Sequence, residues 1–192
     1  MGKIVISENV TLDGVMQDPT GEEGFTHGGW FSQVMEQDFA AWGEVELEEA
    51  LSAEALLLGR RSDEYFGPRW IGRSGEWADR LNSLPKYVVS STSTEAQWSN
   101  ATVVEGDGVE AAAKLRSELD GEIVVYASRR LVHALMEHDL VDEVRLTVFP
   151  FVLGSGERLF GDTSDKTSLR LLGVQPVGAS LVHLRYEVVR QA

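Results

Sequence analysis

The stretch that decides the fold is "VVYASRRLVHALM", residues 124–136. It opens as an apolar, β-branched strand and passes through Ala127 and Ser128 into a helical pattern whose first turn carries Arg129 and Arg130. A strand feeding a helix through small residues is half of a βαβ unit, the building block of a parallel sheet. The same junction has a chemistry. The unpaired N–H groups of a helix start and the helix dipole both favour negative charge, so the strand end invites an anion.

Two other junctions repeat the form. In "LLLGRRSDEYF", residues 56–66, an apolar strand ends at Gly59 and a helix begins at about Ser62. Gly59 permits a tight turn and close approach of a ligand, Ser62 is a residue type that caps helices, and Arg60 and Arg61 can fork onto phosphate oxygens. In "KYVVSSTST", residues 86–94, a strand runs into Ser90, Ser91 and Thr92, which offer hydroxyls and backbone N–H groups. Each stretch alone also reads as a plain junction with a capped loop or solvated arginines. Together they are more, because strand ends of one parallel sheet bring their loops to one edge, where open α/β sheets bind ligands.

Working outward, short β-branched runs predict strands at Lys3–Ser7, Ala55–Leu58, Tyr87–Ser90, Thr102–Glu105, Ile123–Tyr126 and Val144–Phe149. Helical periodicity falls between them at Glu36–Leu51, Ser62–Phe66, Val109–Leu119 and Arg129–His138. The last third changes character: Val144–Phe149, Ser168–Leu172 and Leu181–Val189 follow one another with no crossover helix, which predicts partly antiparallel pairing. The expectation is a single α/β domain over residues 1–192, with a mixed, mostly parallel central sheet flanked by helices. A long polar loop, Gln17–Gly29, interrupts the start, and loops of that length in compact domains are often functional.

Composition narrows the partners. With 17 basic against 31 acidic residues, the net charge of −14 disfavours nucleic acid and anionic membrane over most of the surface. An anionic ligand must therefore find a local basic site, which is what the arginine pairs supply. There is no cysteine, so disulfides, thiolate catalysis and cysteine-ligated zinc are excluded. The four histidines, His27, His133, His138 and His183, have no H-x-x-x-H spacing, and no metal site is expected. "MGKIVISENVTLDG" reads as a strand rather than a signal peptide, and no apolar run reaches the roughly 20 residues that span a bilayer. A cytoplasmic location is expected.

A fourth stretch, "VTLDG" at residues 10–14, puts Asp13 just past the first strand, where it could serve as proton donor or as hydrogen-bond acceptor for an amino-heterocycle. An Asp-Gly turn explains the same residues. Trp30 and Phe31 offer either a stacking wall or a core anchor.

These stretches, with "VVYASRRLVHALMEHDLVDEVRLTVFPFVLGSGERLF" across residues 124–160, resemble in order and spacing the family that unites dihydrofolate reductase-like proteins with the C-terminal reductase domain of the bacterial riboflavin-synthesis deaminase/reductase. The resemblance covers essentially the whole chain. It is most specific at "LVDE", Leu140–Glu143, and at P-x-x-L-G-x-G-x-x-L-F from Pro150 to Phe160.

The resemblance implies a dihydrofolate reductase-like three-layer fold and hydride transfer from NADPH to a pterin, pyrimidine or similar small heterocycle. By the same implication Gly59, Arg60, Arg61 and Ser62 handle the adenosine side of the cofactor, and Ser90, Ser91 and Thr92 form a second phosphate loop. Ala127 and Ser128 lie against the pyrophosphate, and Arg129, Arg130 and Leu131 continue that motif. Asp13 matches an aspartate near the substrate, Trp30 a tryptophan of the small single-domain branch, and Asp38 is a possible counterpart of the acidic residue that holds a pterin. Two departures stand out: Ala127 puts a methyl group where the cofactor needs close approach, and Asp63 sets a carboxylate beside the arginines. A competing expectation is a nucleotide- or flavin-binding module of the same fold without turnover. The resemblance also implies a homodimer, which Leu181–Val189 could form if that strand presents an open edge.

Overall fold

The structure is a computed structural model that describes residues 1–104, 106–161 and 166–190. Its strands are β1 (Lys3–Thr11), β2 (Ala53–Gly59), β3 (Lys86–Val89), β4 (Ala101–Val104), β5 (Glu122–Tyr126), β6 (Glu143–Phe149), β7 (Ser168–Val177) and β8 (Leu181–Val189). The helices are α1 (Glu36–Ser52), α2 (Arg60–Trp70), α3 (Glu76–Ser83), α4 (Gly108–Glu118) and α5 (Arg129–Glu137), with a 3-10 turn at Trp30–Gln33. The eight strands run in the order β4-β3-β2-β5-β1-β6-β8-β7, a mixed sheet in which the early strands pair parallel and the last hairpin antiparallel.

Every expected strand is present, with Glu105 of the expected Thr102–Glu105 lying outside the described residues. Three differences stand out. First, α2 begins at Arg60 rather than Ser62 and runs through Pro68 to Trp70. Second, α3 escapes a reading by periodicity because it is only eight residues long and buries just Ala78 and Leu81. Third, β7 continues to Val177 across Gly173 and Pro176, because antiparallel pairing with β8 at the rim of the sheet tolerates a proline that a central strand would not.

The chain divides into two compact units. The first comprises Met1–Ser7 and Leu47–Glu143. Here β2 pairs in parallel with β3 on one side and β5 on the other, and β5 pairs in turn with Lys3–Ser7 of β1. Leu56, Leu57 and Leu58 are fully buried, as expected for a parallel strand covered on both faces. Val5, Leu56, Leu58, Leu84, Trp98 and Val124 form its core with Phe66 and Trp70 packed against them. The β5 run buries Ile123, Val124 and Val125, and α5 buries Leu131, Val132 and Leu135, so the stretch at 124–136 is anchored on both sides of its turn.

The second unit comprises Glu8–Glu46 and Val144–Ala192. Its core is Trp30, Phe149, Val177 and Leu181, bordered by Phe31, Trp42 and Val45. Val177 and Leu181 face each other across the turn of the β7–β8 hairpin. The register of that hairpin shifts between Leu171 and Gly173, leaving Leu172 as an extra residue in β7.

Candidate functional site

In the first unit the turns after β2 and β5 are joined by hydroxyls. The Gly59 N–H donates to Ser128 Oγ at 2.9 Å, Ser128 Oγ donates to Ser62 Oγ at 2.8 Å, and the Ser128 N–H donates to Ser62 Oγ at 3.1 Å. Ser62 is therefore not a helix cap. It sits buried in the first turn of α2 and holds the neighbouring turn, while Gly59 occupies the cap position with no side-chain bond to the helix.

Helix α5 is open at its N-terminus in the same way, with Ser128 at the cap and no side-chain cap bond. Elsewhere in the unit helix starts are neutralised: Asp107 accepts from the Val109 and Glu110 N–H groups at the head of α4, and α3 carries Glu76 and Asp79 in its first turn. The first turn of α5 has no acidic residue. That of α2 has Asp63, but this carboxylate is buried and turned away, accepting the Gln97 N–H at 2.6 Å and the Trp98 N–H at 3.0 Å. The carboxylate that the sequence sets beside the arginines is thus engaged by the 97–98 backbone. Gly67, one turn on, lets that backbone close in, since a Cβ there would lie 2.8 Å from the Gln97 carbonyl carbon and the Trp98 nitrogen.

Ala127 (φ 49°) and Ser128 (φ 56°) are consecutive left-handed residues, a conformation that costs a non-glycine residue about 1 kcal/mol or more each. It turns the chain sharply from β5 into α5. Among the described residues no peptide bond is cis. Arg61 and Arg130 are exposed and, among the described residues, have no ion-pair or hydrogen-bond partner. Arg60 is engaged by Glu64 one turn along α2 at 2.6 Å. Leu131 is core, so its side chain faces the interior and only its backbone is available to a ligand. The Ser90 hydroxyl accepts from the Thr92 and Ser93 N–H groups at 3.2 and 2.8 Å, closing its own turn, while Ser91 is exposed. At Ser90 the capped-loop reading is the one the geometry bears out.

Sequence reasoning passed over Lys86. Its ammonium is buried, donating to the Leu84 and Ser99 carbonyls at 2.7 and 2.9 Å and lying 4.8 Å from the Trp98 ring centre. Burial pushes it down to about 8 against the raising pull of Asp63. A lysine opening an apolar strand was the available signal.

In the second unit Asp13 organises two loops. It accepts from Thr11 Oγ at 2.7 Å, from the Gly154 N–H at 2.9 Å and from the Leu153 N–H at 3.2 Å, and Arg158 approaches it at 3.5 Å while donating to its carbonyl at 2.9 Å. Burial alone would raise this carboxyl, but the hydrogen bonds outweigh it and hold the group at about 2. A group ionised so firmly is an acceptor and not a proton donor near neutral pH. The loop it holds is the Pro150–Phe160 string, whose Gly154 (φ 75°) and Gly156 (φ 114°) take left-handed turns.

Two expected substrate contacts are corrected. Trp30 is 1% exposed, packs edge-on against Phe149 and donates its indole N–H to the Gln17 carbonyl, so it is a core anchor. Asp38 is wholly buried and accepts from the Ala179 and Ser180 N–H groups and the Ser180 hydroxyl, tying α1 to the β7–β8 turn. Those bonds lower its carboxyl, and complete burial keeps it from reaching a pterin. Phe31 is partly buried among Phe39, Trp42 and Phe149. The polar loop Gln17–Gly29 is tied by Asp18, whose carboxylate accepts the Glu23 and Phe25 N–H groups and whose carbonyl accepts those of Gly21 and Gly29. Among the described residues no helix is long and apolar enough to cross a membrane, and no cluster of His, Cys, Asp and Glu could hold a metal ion.

A mixed, mostly parallel eight-stranded sheet with helices in its crossovers is the α/β fold of dihydrofolate reductase, and the dihydrofolate reductase of Enterococcus faecalis, solved with NADP(H), aligns with a TM-score of 0.59 at 16% identity over 98% of this chain and 97% of that one. A Shewanella sp. PV-4 protein named for riboflavin biosynthesis aligns with a TM-score of 0.76 at 24% identity over 98% and 99% of the two chains. The chain belongs to the RibD C-terminal domain family, whose model matches residues 2–183. The Bacillus subtilis protein YyaP is 26% identical over 191 residues, covering 96% of this chain and 94% of its own.

Proposed function

We propose that the protein is an NADPH-dependent reductase of a small, flat heterocycle of the pterin or pyrimidine class. The observation that carries the reading is the Ser62–Ser128 link, which fastens together two helix starts that lack side-chain caps, with the unpartnered cations Arg61 and Arg130 on the same two helices. Two dipole ends, first-turn backbone N–H groups and guanidinium donors are the set that a dinucleotide diphosphate requires. The residues therefore fit the cofactor, with the Ala127 methyl as the one obstruction in the set.

When bound, NADPH supplies the hydride. The chain's own contribution is to hold phosphate at the turns after β2 and β5, to meet a 2′-phosphate with Arg61, and to present Asp13 as a fixed negative acceptor for an amino group of the substrate. Because Asp13 is ionised, the proton for the reduced heterocycle comes from solvent in this reading. Asp13 is the residue proposed as catalytic. Phe31 remains a proposed stacking contact. Reductases of the family and fold motivate the activity, and the charge of the strand ends supports the cofactor.

The test is calorimetric titration with NADPH and NADH, followed by loss of nicotinamide absorbance against a panel of dihydropterins and aminopyrimidines. Submicromolar to micromolar NADPH binding with oxidation by one panel member is the expected result. No binding of either nucleotide overturns the reading. Tight binding without oxidation by any member favours the non-catalytic binding module, a reading to which the lack of a proton-donating Asp13 gives some support.

A further inference from the structure

The charges of the second unit are unevenly placed. Its segment Glu8–Glu46 has nine aspartates and glutamates and not one lysine or arginine. Its other segment supplies Arg145 and Arg158 ahead of the hairpin, and both are engaged. Arg145 is buried in β6, while Arg158 donates to the Asp13 carbonyl at 2.9 Å and sets its Nη2 3.5 Å from the Asp13 carboxylate. Lys166, Arg170, Arg185 and Arg190 lie on or beside the β7–β8 hairpin, whose outer strand at the rim of the sheet is β7 and not the expected Leu181–Val189. The unpartnered guanidinium groups that suit a phosphate, Arg61 and Arg130, belong to the first unit.

Negative charge gathers on the loops around Asp13. The Met16 N–H donates to the Glu157 carbonyl and the Glu157 N–H to Gln17 Oε1, which fastens the start of the Gln17–Gly29 loop to the Pro150–Phe160 string. Phe25 fastens its middle, packing so close to Gly156 that a Cβ there would lie 2.9 Å from its ring. Asp13 holds the same string through Leu153 and Gly154. Glu22, Glu23 and Glu157 are exposed on the loops so joined. Apolar side chains stand there too. The Leu12 N–H donates to the Phe151 carbonyl at 2.8 Å where the ends of β1 and β6 meet, and Leu12 and Val152, beside that bond, are 69% and 68% exposed. A Cβ added at Gly14 or Gly154 would meet nothing within 4 Å, so open space adjoins both loops. A lone exposed leucine or valine needs no explanation. Two of them on adjoining strand ends, next to a fixed carboxylate, stand where an open α/β sheet receives a ligand.

We propose that the ligand received here is an uncharged amino-heterocycle bearing an apolar substituent, and that phosphorylated heterocycles are rejected. The inference rests on the reductase reading and narrows its substrate class. A phosphate monoester carries a charge of about −1.5 to −2 near neutral pH. Set among Asp13, Glu22, Glu23 and Glu157, it would bring like charges together while Arg158 is already turned onto Asp13, and such juxtaposition discriminates by repulsion. An alkyl or aryl group meets no such penalty, and it takes the Leu12 and Val152 side chains out of water as it binds. Charge thus sorts the two ligands of the reductase: the phosphates of the cofactor to the arginines of the first unit, the uncharged heterocycle to the second.

A single dihydropterin ring, carrying benzyl, ribityl or ribityl phosphate, tests the proposal. Equilibrium dialysis with and without NADP⁺ reads affinity, and loss of NADPH absorbance reads turnover. The ribityl form separates charge from polarity. The phosphorylated ring should bind at least about tenfold more weakly than the ribityl ring, with the gap shrinking as salt rises from about 0.05 to 0.5 M. The benzyl ring should bind about tenfold more tightly than the ribityl ring, and Leu12→Ser/Val152→Ser should abolish that preference. Glu22→Gln/Glu23→Gln should narrow the phosphate penalty about threefold and leave the benzyl preference in place. A phosphorylated ring that binds as well as the ribityl one, or a benzyl preference indifferent to Leu12 and Val152, overturns the proposal, and consumption of NADPH in the same samples leaves the reductase reading standing. The expected order of affinities without oxidation of NADPH by any form overturns turnover and supports the ligand class. Failure of every ring to bind overturns both.

Discussion

Ser128 Oγ lies 2.8 Å from Ser62 Oγ, joining residues that are 66 positions apart in the chain. The bond fixes the turn after β5 against the first turn of α2, and the Gly59 N–H completes it. Ser128→Ala removes the acceptor for that N–H and a donor to Ser62. It should lower stability by about 1–2 kcal/mol and weaken NADPH binding by roughly tenfold, because the two helix starts lose their mutual alignment. Thermal unfolding beside calorimetric titration checks both; a variant with unchanged affinity would detach the link from cofactor binding.

The two arginines after Gly59 should separate. Arg60 is held by Glu64 and Arg61 is not. Arg61→Ala should therefore reduce affinity for NADPH by about fivefold or more while leaving NADH nearly unchanged, and Arg60→Ala should do little to either. Equal effects of the two substitutions, measured by titration with both nucleotides, would remove Arg61 from the 2′-phosphate.

Ala127→Gly carries a prediction whose sign the backbone reverses. An alanine exchanged for glycine ordinarily loses stability through the freedom of the unfolded chain, by about 0.4–1 kcal/mol. Ala127 has φ 49°, where glycine is unstrained and alanine is not. The substitution should be neutral to stabilising, and NADPH should bind more tightly for want of the methyl. A melting temperature lowered by several degrees contradicts the first half, and unchanged affinity contradicts the second.

Asp13 has a folded-state carboxyl held at about 2 against an ordinary 3.8. A carboxyl depressed by folding contributes stability that is complete above its unfolded value and is lost as pH falls through the folded one. Asp13→Asn should cost about 2 kcal/mol at pH 7, and the difference from the unaltered protein should shrink between pH 4 and 2. Denaturant titrations at pH 7 and at the acid end test this. A difference independent of pH would show that charge at Asp13 is not what holds Leu153 and Gly154.

Lys86 gives a slope of the same sign in an alkaline window, but there folding disfavours the charged form instead of favouring it. Its folded-state value of about 8 lies below the ordinary 10.5, so the unfolded chain binds the extra proton between those values and stability rises with pH across that window. Relative to Lys86→Met, which does not titrate, the unaltered protein should gain at most about 3 kcal/mol from pH 8 to 10.5. Parallel stability profiles for the two proteins would place the amine in solvent, against its burial under Trp98.

Local pattern determined much of this protein. The apolar runs and the 3.6-residue periods of α1, α2, α4 and α5 each depend on neighbours in sequence, and the three strand ends with their glycine, serines and arginines were legible for the same reason. So was the family, through a string from Pro150 to Phe160 that no local rule explains. Tertiary structure supplies the rule: Gly154 N–H and Leu153 N–H reach Asp13, and Gly156 must be glycine because a Cβ there would stand 2.8 Å from Val15 and 2.9 Å from Phe25. Those partners are some 140 residues away, beyond the reach of any window. Tertiary and turn contacts also decided which polar groups are free. Asp38, Asp63, Ser62 and Ser90 all look available for polar contacts in the chain, and only their long-range or turn-closing partners show that each is already engaged, whereas Arg61 and Arg130 have no partner among the described residues. One inserted residue, Leu172, decided which side of a hairpin is apolar, because strand parity is a property of pairing and not of composition.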